Sequence, residues 1–341
     1  MSGATGTATG EVPAVPTAEG AATSPAPPAR TPSPTGWRRW ISSPIAFLPA
    51  IFLIAIVITL IEASKYSLVP GLFGSVWNPD PTNPALSTYG VAYFAVGSLI
   101  TSTIALALAM VLSVALALSL AIFLPSVVSR LLTPVTDLLA GIPSVVYGIW
   151  GYVVLAPYFS TVIDPGLAHW LGWLPGFSAN PTEYAGGVGL ILAIFVLTIM
   201  VVPLTTALIR DSLRAVPRDL VESGLALGAT RWEVARRVQL RYARNSIPSA
   251  LLLGFGRAVG ETVAVAMVIG NEVKLPDSIF SGSSTIASLL ITQTDSALQY
   301  PELLQALVEI ALILLAISIA VNLIGLRYFG RSRLAVLGTV Q

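Results

Sequence analysis

The sequence contains no cysteine and a single histidine, His169. Disulfide bonds, iron–sulfur clusters, thiolate metal sites and metal sites built from several histidines are therefore excluded. Lysine is also rare, and neither Lys65 nor Lys274 follows the glycine pattern of a nucleotide-binding P-loop. We therefore expect no cofactor bound by this chain. The sequence shows no nucleophile with a neighbouring base, so it does not indicate an enzyme.

Charged residues are scarce as well, at 10% of 341 residues, whereas 55% are hydrophobic. A soluble domain typically carries about 25% charged residues. Several apolar runs approach the roughly 20 residues that cross a bilayer as a helix. The composition therefore predicts an all-α integral membrane protein. Nucleic-acid binding is not expected, because the basic residues lie beside apolar segments without interleaved aromatics.

About six apolar segments are predicted to span the membrane. They lie at residues 45–61, 97–124, 131–159, 186–209, 247–270 and 303–326. Residues 1–40, rich in Ala, Pro, Thr, Gly and Ser, are predicted to form a disordered cytoplasmic tail before a membrane domain at 41–335. The aromatic–basic cluster at 37–40 is typical of the edge of a first span.

The arginines predict the orientation. With both termini in the cytoplasm, 15 of the 18 basic residues face inward, and Lys65, Lys274 and the intramembrane Arg257 are the exceptions. Eight arginines lie in one connection, namely Arg210, Arg214, Arg218, Arg231, Arg236, Arg237, Arg241 and Arg244. We expect residues 66–92 and 157–185 to form outer loops, the latter containing Asp164, and residues 276–300 to form a short helix at the outer surface.

The arginine-rich connection, at about 212–245, contains signals for two short helices. Pro217 suits a helix start and Gly228 a helix end. Thr230, with Glu233 three residues later, predicts a capping box for the next helix. Such a unit is suited to dock into a partner's groove, although a solvated basic loop that only sets topology explains the pattern equally well.

Two of the predicted spans carry polar features. Arg257 and Glu261 are four residues apart, which predicts an ion pair on one helix face, either as an anion contact or as a structural lock. The third predicted span should break at Gly141, Pro143 and Ser144, because proline cannot donate a backbone hydrogen bond.

Two further acids lie in the apolar segments. Asp137 precedes the break by one turn and is a candidate partner for an arginine or for free backbone donors. Glu309, in the last span, is a buried acid for which the sequence indicates no partner.

The connection resembles the EAA loop of ABC importer permeases. Glu222, Gly228 and Leu240 match that pattern and Val238 replaces its isoleucine, but Ser223 and Gly224 replace the two alanines and Arg241 the proline. The resemblance implies a coupling helix that rests on an ATPase subunit, with Glu222, Gly224, Gly228 and Ala229 at the contact.

Two longer segments resemble the PstC-type permeases of phosphate ABC importers. Residues 138–151, LLAGIPSVVYGIWG, are similar to their third-span signature, and residues 254–271, GFGRAVGETVAVAMVIGN, to their fifth. Trp77, Asn78 and Pro79 add a similar outer motif. The resemblance covers about 41–330 and implies a type I importer fold, with a transmembrane core at about 93–328.

The resemblance also implies the activity and the partners. The implied activity is import of inorganic phosphate across a bacterial-type plasma membrane. The implied partners are a second homologous permease, an ATP-binding subunit dimer that holds ATP and Mg, and an extracytoplasmic phosphate-binding protein. The resemblance further implies that Arg257 and Glu261 serve phosphate passage. The position of Asp137 beside the predicted helix break makes it a further candidate for the substrate path. A permease for another oxyanion (sulfate, molybdate or a phosphonate) and a carrier driven by an ion gradient remain alternatives.

Overall fold

The structure is a computed structural model that describes residue 3 and residues 47–64, 71–80, 87–178 and 186–329. Several sequence-based predictions lie outside the described residues, namely the tail at 1–40 apart from Gly3, the cluster at 37–40 and Lys65. The chain divides into two compact units, 1–54 and 55–341. The described part is almost entirely helical.

The regular elements fall into one short hairpin and a series of helices. The hairpin pairs β1 (Trp77–Asn78) with β2 (Thr88–Tyr89) in antiparallel register. The helices, in chain order, are α1 (Leu48–Ser64), α2 (Ala92–Leu118), α3 (Ser126–Ala140), α4 (Ser144–Trp150), α5 (Ala156–Tyr158), α6 (Asp164–Leu171), α7 (Leu190–Arg214), α8 (Arg218–Ala226), α9 (Arg231–Val234), α10 (Leu240–Tyr242), α11 (Ser246–Val259), α12 (Val263–Val268), α13 (Ile286–Thr292), α14 (Thr294–Ala297) and α15 (Pro301–Phe329). Wider π-helical turns connect several of them, at Ser119–Phe123, Gly151–Leu155, Phe159–Ile163 and Ala235–Gln239.

Within the described residues, four continuous helices are long and apolar enough to cross a membrane. They are Ala92–Phe123, Ser144–Leu171, Leu190–Arg214 and Pro301–Ile324. Helix α1 is apolar but shorter, at 17 residues. The fifth predicted span is divided between α11 and α12. The structure is therefore that of a multi-pass membrane protein and is compatible with the six predicted spans.

Helix α7 is the centre of the unit at 55–341. Its sequence is apolar on all sides, as expected for a helix surrounded by other helices, and 67% of its most apolar window is buried, against 28% or less for the other three long helices. It packs against α2, α11 and α3. Gly254 of α11 allows close approach, because a Cβ there would lie 2.6 Å from Cγ2 of Thr205. Thr205 also shares a 2.5 Å hydrogen bond with Ser113 of α2.

The prediction of an outer-surface helix within 276–300 is wrong in its placement. Helix α13 is present, but all residues from 280 to 289 are buried. The helix packs against α2, α12 and α15, and the backbone N–H of Ile286 donates to Ser98 Oγ at 2.8 Å. Several of its hydroxyls are hydrogen-bonded within the protein, and Thr285 and Ser288 form a capping box. A polar sequence therefore did not indicate exposure.

The prediction that 157–185 is a plain outer loop is also wrong in part. The helical path continues to Leu171, and Asp164, at the start of α6, is only 1% exposed. Proline and glycine directly after Asp164 suggested a loop, but Pro165 occupies the first turn of α6, where a helix tolerates it.

Candidate functional site: two helix breaks and a cytoplasmic cap

The first helix break lies between α3 and α4, as the sequence predicted. Helix α3 ends at Ala140, and Pro143 precedes α4 with an extended ψ of 137°. The Tyr147 hydroxyl donates to the carbonyl of Leu139 at 2.8 Å and so links the two sides of the break. The break is therefore an ordered feature that replaces a lost backbone hydrogen bond with a side-chain one.

A second break, which the sequence did not predict, interrupts the fifth span. Helix α11 ends at Val259 with Gly260 as its cap, and α12 begins at Val263. Glu261 lies in the break, where its Oε1 accepts from the backbone N–H of Ala264 at 3.4 Å. The prediction that Arg257 and Glu261 share one helix face is therefore wrong. Gly260 is a poor helix former, and the carboxylate caps the next helix instead.

The two breaks meet through their C-terminal helices, because α4 packs directly on α12. Gly148 makes this contact: a Cβ there would lie 2.9 Å from Cα of Ala264 and 2.8 Å from Sδ of Met267. One turn later, a Cβ on Gly151 would lie 3.0 Å from side chains of both Val196 and Val268. Small residues thus allow two discontinuous helices to pack backbone to backbone, as membrane helices often do.

Arg257 lies on the last turn of α11, just before the second break, and is partly buried. Its Nε is buried without a hydrogen-bond partner in the described part of the chain. The ion pairs found among the described residues do not include Arg257 with Glu261. The guanidinium therefore keeps a donor available next to the second break, and α12, on the far side of that break, packs against α4.

Asp137 pairs with an arginine, but the arginine is Arg210 and not Arg257. Arg210 Nη1 lies 3.0 Å from Asp137 Oδ1, and Arg210 Nη2 lies 2.9 Å from Asp211 Oδ1. Sequence reasoning counted Arg210 as a cytoplasmic loop residue, whereas its side chain is only 6% exposed on α7. The available signal was that Arg210 directly continues the apolar run of α7, next to the buried Ile209. The pair ties α3, which leads to the first break, to α7.

The cytoplasmic cap, α8 with α9, has the predicted form. Pro217 precedes α8, Gly228 follows it with a left-handed φ of 84°, and Thr230 and Glu233 form a capping box. Hydrogen bonds from the Thr230 backbone N–H (2.9 Å) and hydroxyl (3.0 Å) to Glu233 Oε2 lower the pKa of this carboxyl. These local contacts define the angle between the two helices.

The surface around α8 presents apolar side chains to solvent. Leu227 is 89% exposed and Trp232 is 55% exposed, and α8 itself contains no buried residue. Gly224 faces α9, where a Cβ would lie 3.1 Å from Cγ2 of Val234, and Glu222 is exposed. An exposed apolar surface rimmed by charge is typical of a protein-binding site.

Comparisons with known proteins agree with this architecture. Residues 113–332 match the family described as the binding-protein-dependent transport system inner membrane component. The chain is 38% identical over 271 residues to the phosphate transport system permease protein PstC of Pasteurella multocida (80% of this chain, 84% of the relative). It is 36% identical over 298 residues to the probable PstC of Methanocaldococcus jannaschii (85% and 93%).

A solved structure shows the same fold. It is the crystal structure of a bacterial ABC transporter involved in the import of the acidic polysaccharide alginate, with a TM-score of 0.56 at 15% identity, covering 86% of this chain and 94% of that chain. At this identity the likeness concerns the fold alone, which is that of type I ABC importer permeases. With the break sequences, the cap and these relatives together, the chain belongs to the family of binding-protein-dependent transport system inner membrane components, among the PstC-type permeases.

Proposed function

We propose that this chain is the permease subunit of an ATP-binding-cassette importer that moves inorganic phosphate into the cytoplasm. The observation that carries the proposal is the Arg257 guanidinium, which, among the described residues, retains an unpaired Nε next to the second helix break. Relatives that are 36% and 38% identical to this chain are phosphate transport permeases by name. An arginine offers a planar set of donors that matches a tetrahedral oxyanion.

The two breaks give the path its polar character in this proposal. The chain departs from regular helix at Gly141, Pro143 and Ser144, and at Gly260 next to Glu261. Interrupted helices of this kind commonly line the substrate path of a transporter. Glu261 stays close to Arg257 in sequence but is held by the backbone of α12. Glu261 therefore positions the break and lowers the affinity of the site for anions, which allows release.

Asp137 acts at a distance from Arg257 in this scheme. Its bond to Arg210 links the helix before the first break to the helix that leads into the cap. A movement of the cap would pass through α7 and this ion pair to α3. Asp137 thereby influences the substrate path without contacting phosphate.

Energy for transport comes from a separate chain, since this sequence has no P-loop. The cap at Glu222, Gly224, Gly228 and Ala229 is the surface proposed to dock on an ATP-binding subunit dimer, which holds ATP and Mg. A second homologous permease completes the path, an extracytoplasmic binding protein delivers phosphate, and the assembly lies in a bacterial plasma membrane. The predicted cytoplasmic tail at 1–40 and the membrane domain at 41–335 belong to this arrangement.

The test is ATP-dependent uptake of labelled phosphate into vesicles that contain the assembled complex. Arg257→Gln should abolish uptake with assembly intact, and Arg257→Lys should retain part of it, because lysine keeps the charge but loses the planar fork. Arg327→Gln, an exposed arginine at the end of α15, is the matched control. Unchanged uptake by an assembled Arg257→Gln complex would refute the role of Arg257.

Competition separates phosphate from other oxyanions in the same vesicles. Excess sulfate or molybdate should leave uptake of labelled phosphate unchanged, whereas unlabelled phosphate should suppress it. If sulfate suppressed uptake of labelled phosphate as strongly as unlabelled phosphate does, phosphate would be refuted as the selective substrate. Uptake without ATP but with an ion gradient would indicate a secondary carrier.

A further inference from the structure

A second polar region lies away from both helix breaks. A cavity of about 570 Å³ opens between the end of α2, the first half of α3 and the end of α7. Its lining combines two arginines, three hydroxyl residues and four apolar residues, namely Arg130, Arg214, Ser126, Ser129, Thr133, Leu120, Ala121, Leu124 and Pro134. None of these belongs to α11 or α12, so the cavity is separate from the Arg257 site.

The charges of the cavity are uncompensated. Its lining contains Arg130 and Arg214 but no acidic residue. In the part of the chain that the structure describes, neither arginine takes part in an ion pair. A bound anion would therefore interact favourably with both guanidinium groups.

The hydroxyl groups are arranged to complement such an anion. Ser126, Ser129 and Thr133 recur at helix spacing along one face of α3. The Ser129 hydroxyl donates to the Leu120 carbonyl at 2.6 Å and lies 3.3 Å from Arg214 Nη2, which fixes the guanidinium at the cavity. Thr133 Oγ1 is buried without a hydrogen-bond partner. A donor is thus available deep in the cavity, beside two cations.

The location narrows the chemistry of the ligand. The cavity lies at the end of α7 from which the cap follows, the side predicted to be cytoplasmic. Its volume falls within the usual range for small-molecule sites, about 300–1,000 Å³. At the edge of a membrane span, a phosphate group arrives either as a free anion from the cytoplasm or as part of an anionic lipid headgroup.

We propose that the cavity between α2, α3 and α7 binds a phosphate group through Arg130, Arg214 and Thr133, at a site distinct from Arg257. The inference goes beyond transport, because binding there requires neither ATP nor passage through the membrane. A phosphate group at this point contacts the end of α7 just before the cap and would stabilise the attachment of α3 to α7.

The experiment measures binding without ATP to the assembled complex in nanodiscs of two compositions. In neutral phosphatidylcholine, labelled inorganic phosphate is the probe. In discs with added phosphatidylglycerol, the probe is the number of phosphatidylglycerol molecules retained per complex by native mass spectrometry. Arg130→Gln with Arg214→Gln should weaken one of the two by at least about tenfold, since each lost charged hydrogen bond costs about tenfold or more in affinity.

The matched control is Arg327→Gln, which removes one exposed arginine outside the cavity and should leave both measurements unchanged. If the double arginine variant loses phosphate binding, the ligand of the cavity is the free anion. If it loses retained phosphatidylglycerol, the ligand is the lipid headgroup. The double arginine variant should lower the same signal whether or not Arg257→Gln is also present, so failure of the transport proposal is distinguishable from failure of this one. Equal binding by the wild type and the double arginine variant, in both kinds of disc, would overturn the inference.

A second variant keeps the test valid if the double arginine variant does not assemble. Thr133→Val removes the buried hydroxyl at nearly constant volume and charge, and we expect it to weaken the same signal by up to about tenfold. Arg130→Lys with Arg214→Lys retains both charges and should retain most of the binding. No effect of Thr133→Val in an assembled complex would contradict the assigned role of the hydroxyl.

Discussion

The cluster of Arg210, Asp137 and Asp211 leads to a sharp prediction about non-additive stability. The guanidinium is 6% exposed and bonds to both acids, whereas Asp137 is 46% and Asp211 64% exposed. Either acid alone can therefore partly compensate the buried charge. We expect Asp137→Asn and Asp211→Asn to be tolerated singly, and the double variant to be strongly destabilised.

The magnitudes follow from the exposures. Each single substitution removes a solvent-screened ion pair and should cost about 1 kcal/mol or less. The double variant leaves Arg210 buried without a counter-charge, for which about 3–5 kcal/mol is typical. Because two singles account for about 2 kcal/mol at most, we expect a coupling free energy of about 1–3 kcal/mol.

A rescue experiment tests the cause. Adding Arg210→Met to the double acid variant replaces the buried charge with an apolar side chain of similar length and should recover most of the lost stability. The measurement is the unfolding free energy of the purified chain in mixed micelles of detergent and SDS, with assembly checked for each variant. Lys274→Gln, which removes an exposed ion pair with Glu272, is the matched control and should change little.

Two results would refute this reasoning. Additive losses in the double acid variant would show that the two carboxylates do not share one buried charge. Failure of Arg210→Met to rescue the double variant would show that the cost arises elsewhere, for example from repacking of α3 on α7.

Three further predictions concern the cap and the contact between the two breaks. Gly228→Val should lower the amount of phosphate transported per ATP hydrolysed, because a β-branched residue is strained at φ 84°, and Gly228→Asn should lower it less. The same amount of phosphate per ATP in the assembled wild-type and Gly228→Val complexes would contradict this. Gly148→Leu should abolish uptake with the cap intact, since its side chain would displace Ala264; normal uptake would show that α4 and α12 can separate. Because the pKa of Glu233 is lowered, its hydrogen bonds to Thr230 stabilise the start of α9 above the ordinary pKa of glutamate, about 4.3, and this stabilisation is lost as pH falls through the lowered pKa. Amide hydrogen exchange in α9 should therefore become faster on acidification. Glu233→Gln should make that exchange less dependent on pH.

Several features were predictable because they depend on neighbouring residues alone. Pro143 lacks a backbone donor, so the break between α3 and α4 follows from the residue itself. Gly228 and the Thr230–Glu233 pair likewise specify the end of one helix and the start of another within a few residues. The apolar runs predicted the membrane helices for the same reason, although the helix ends differ by several residues.

Other features depend on residues distant in sequence, and only the tertiary structure decided them. Helical spacing placed Arg257 and Glu261 on one face, but Gly260 ends the helix and Glu261 bonds to the backbone of Ala264. The partner of Arg210 is Asp137, 73 residues away, so the sequence around Arg210 did not identify that partner.

The sequence by itself therefore determined the class of protein, its helices, the first break and the form of the cap, because these follow from composition and from the backbone chemistry of single residues. The tertiary structure decided which breaks meet, which charges pair and which polar segments are buried. Those outcomes depend on close packing between helices, as at Gly148 and Ala264, and packing is a property of the assembled chain and not of any one segment.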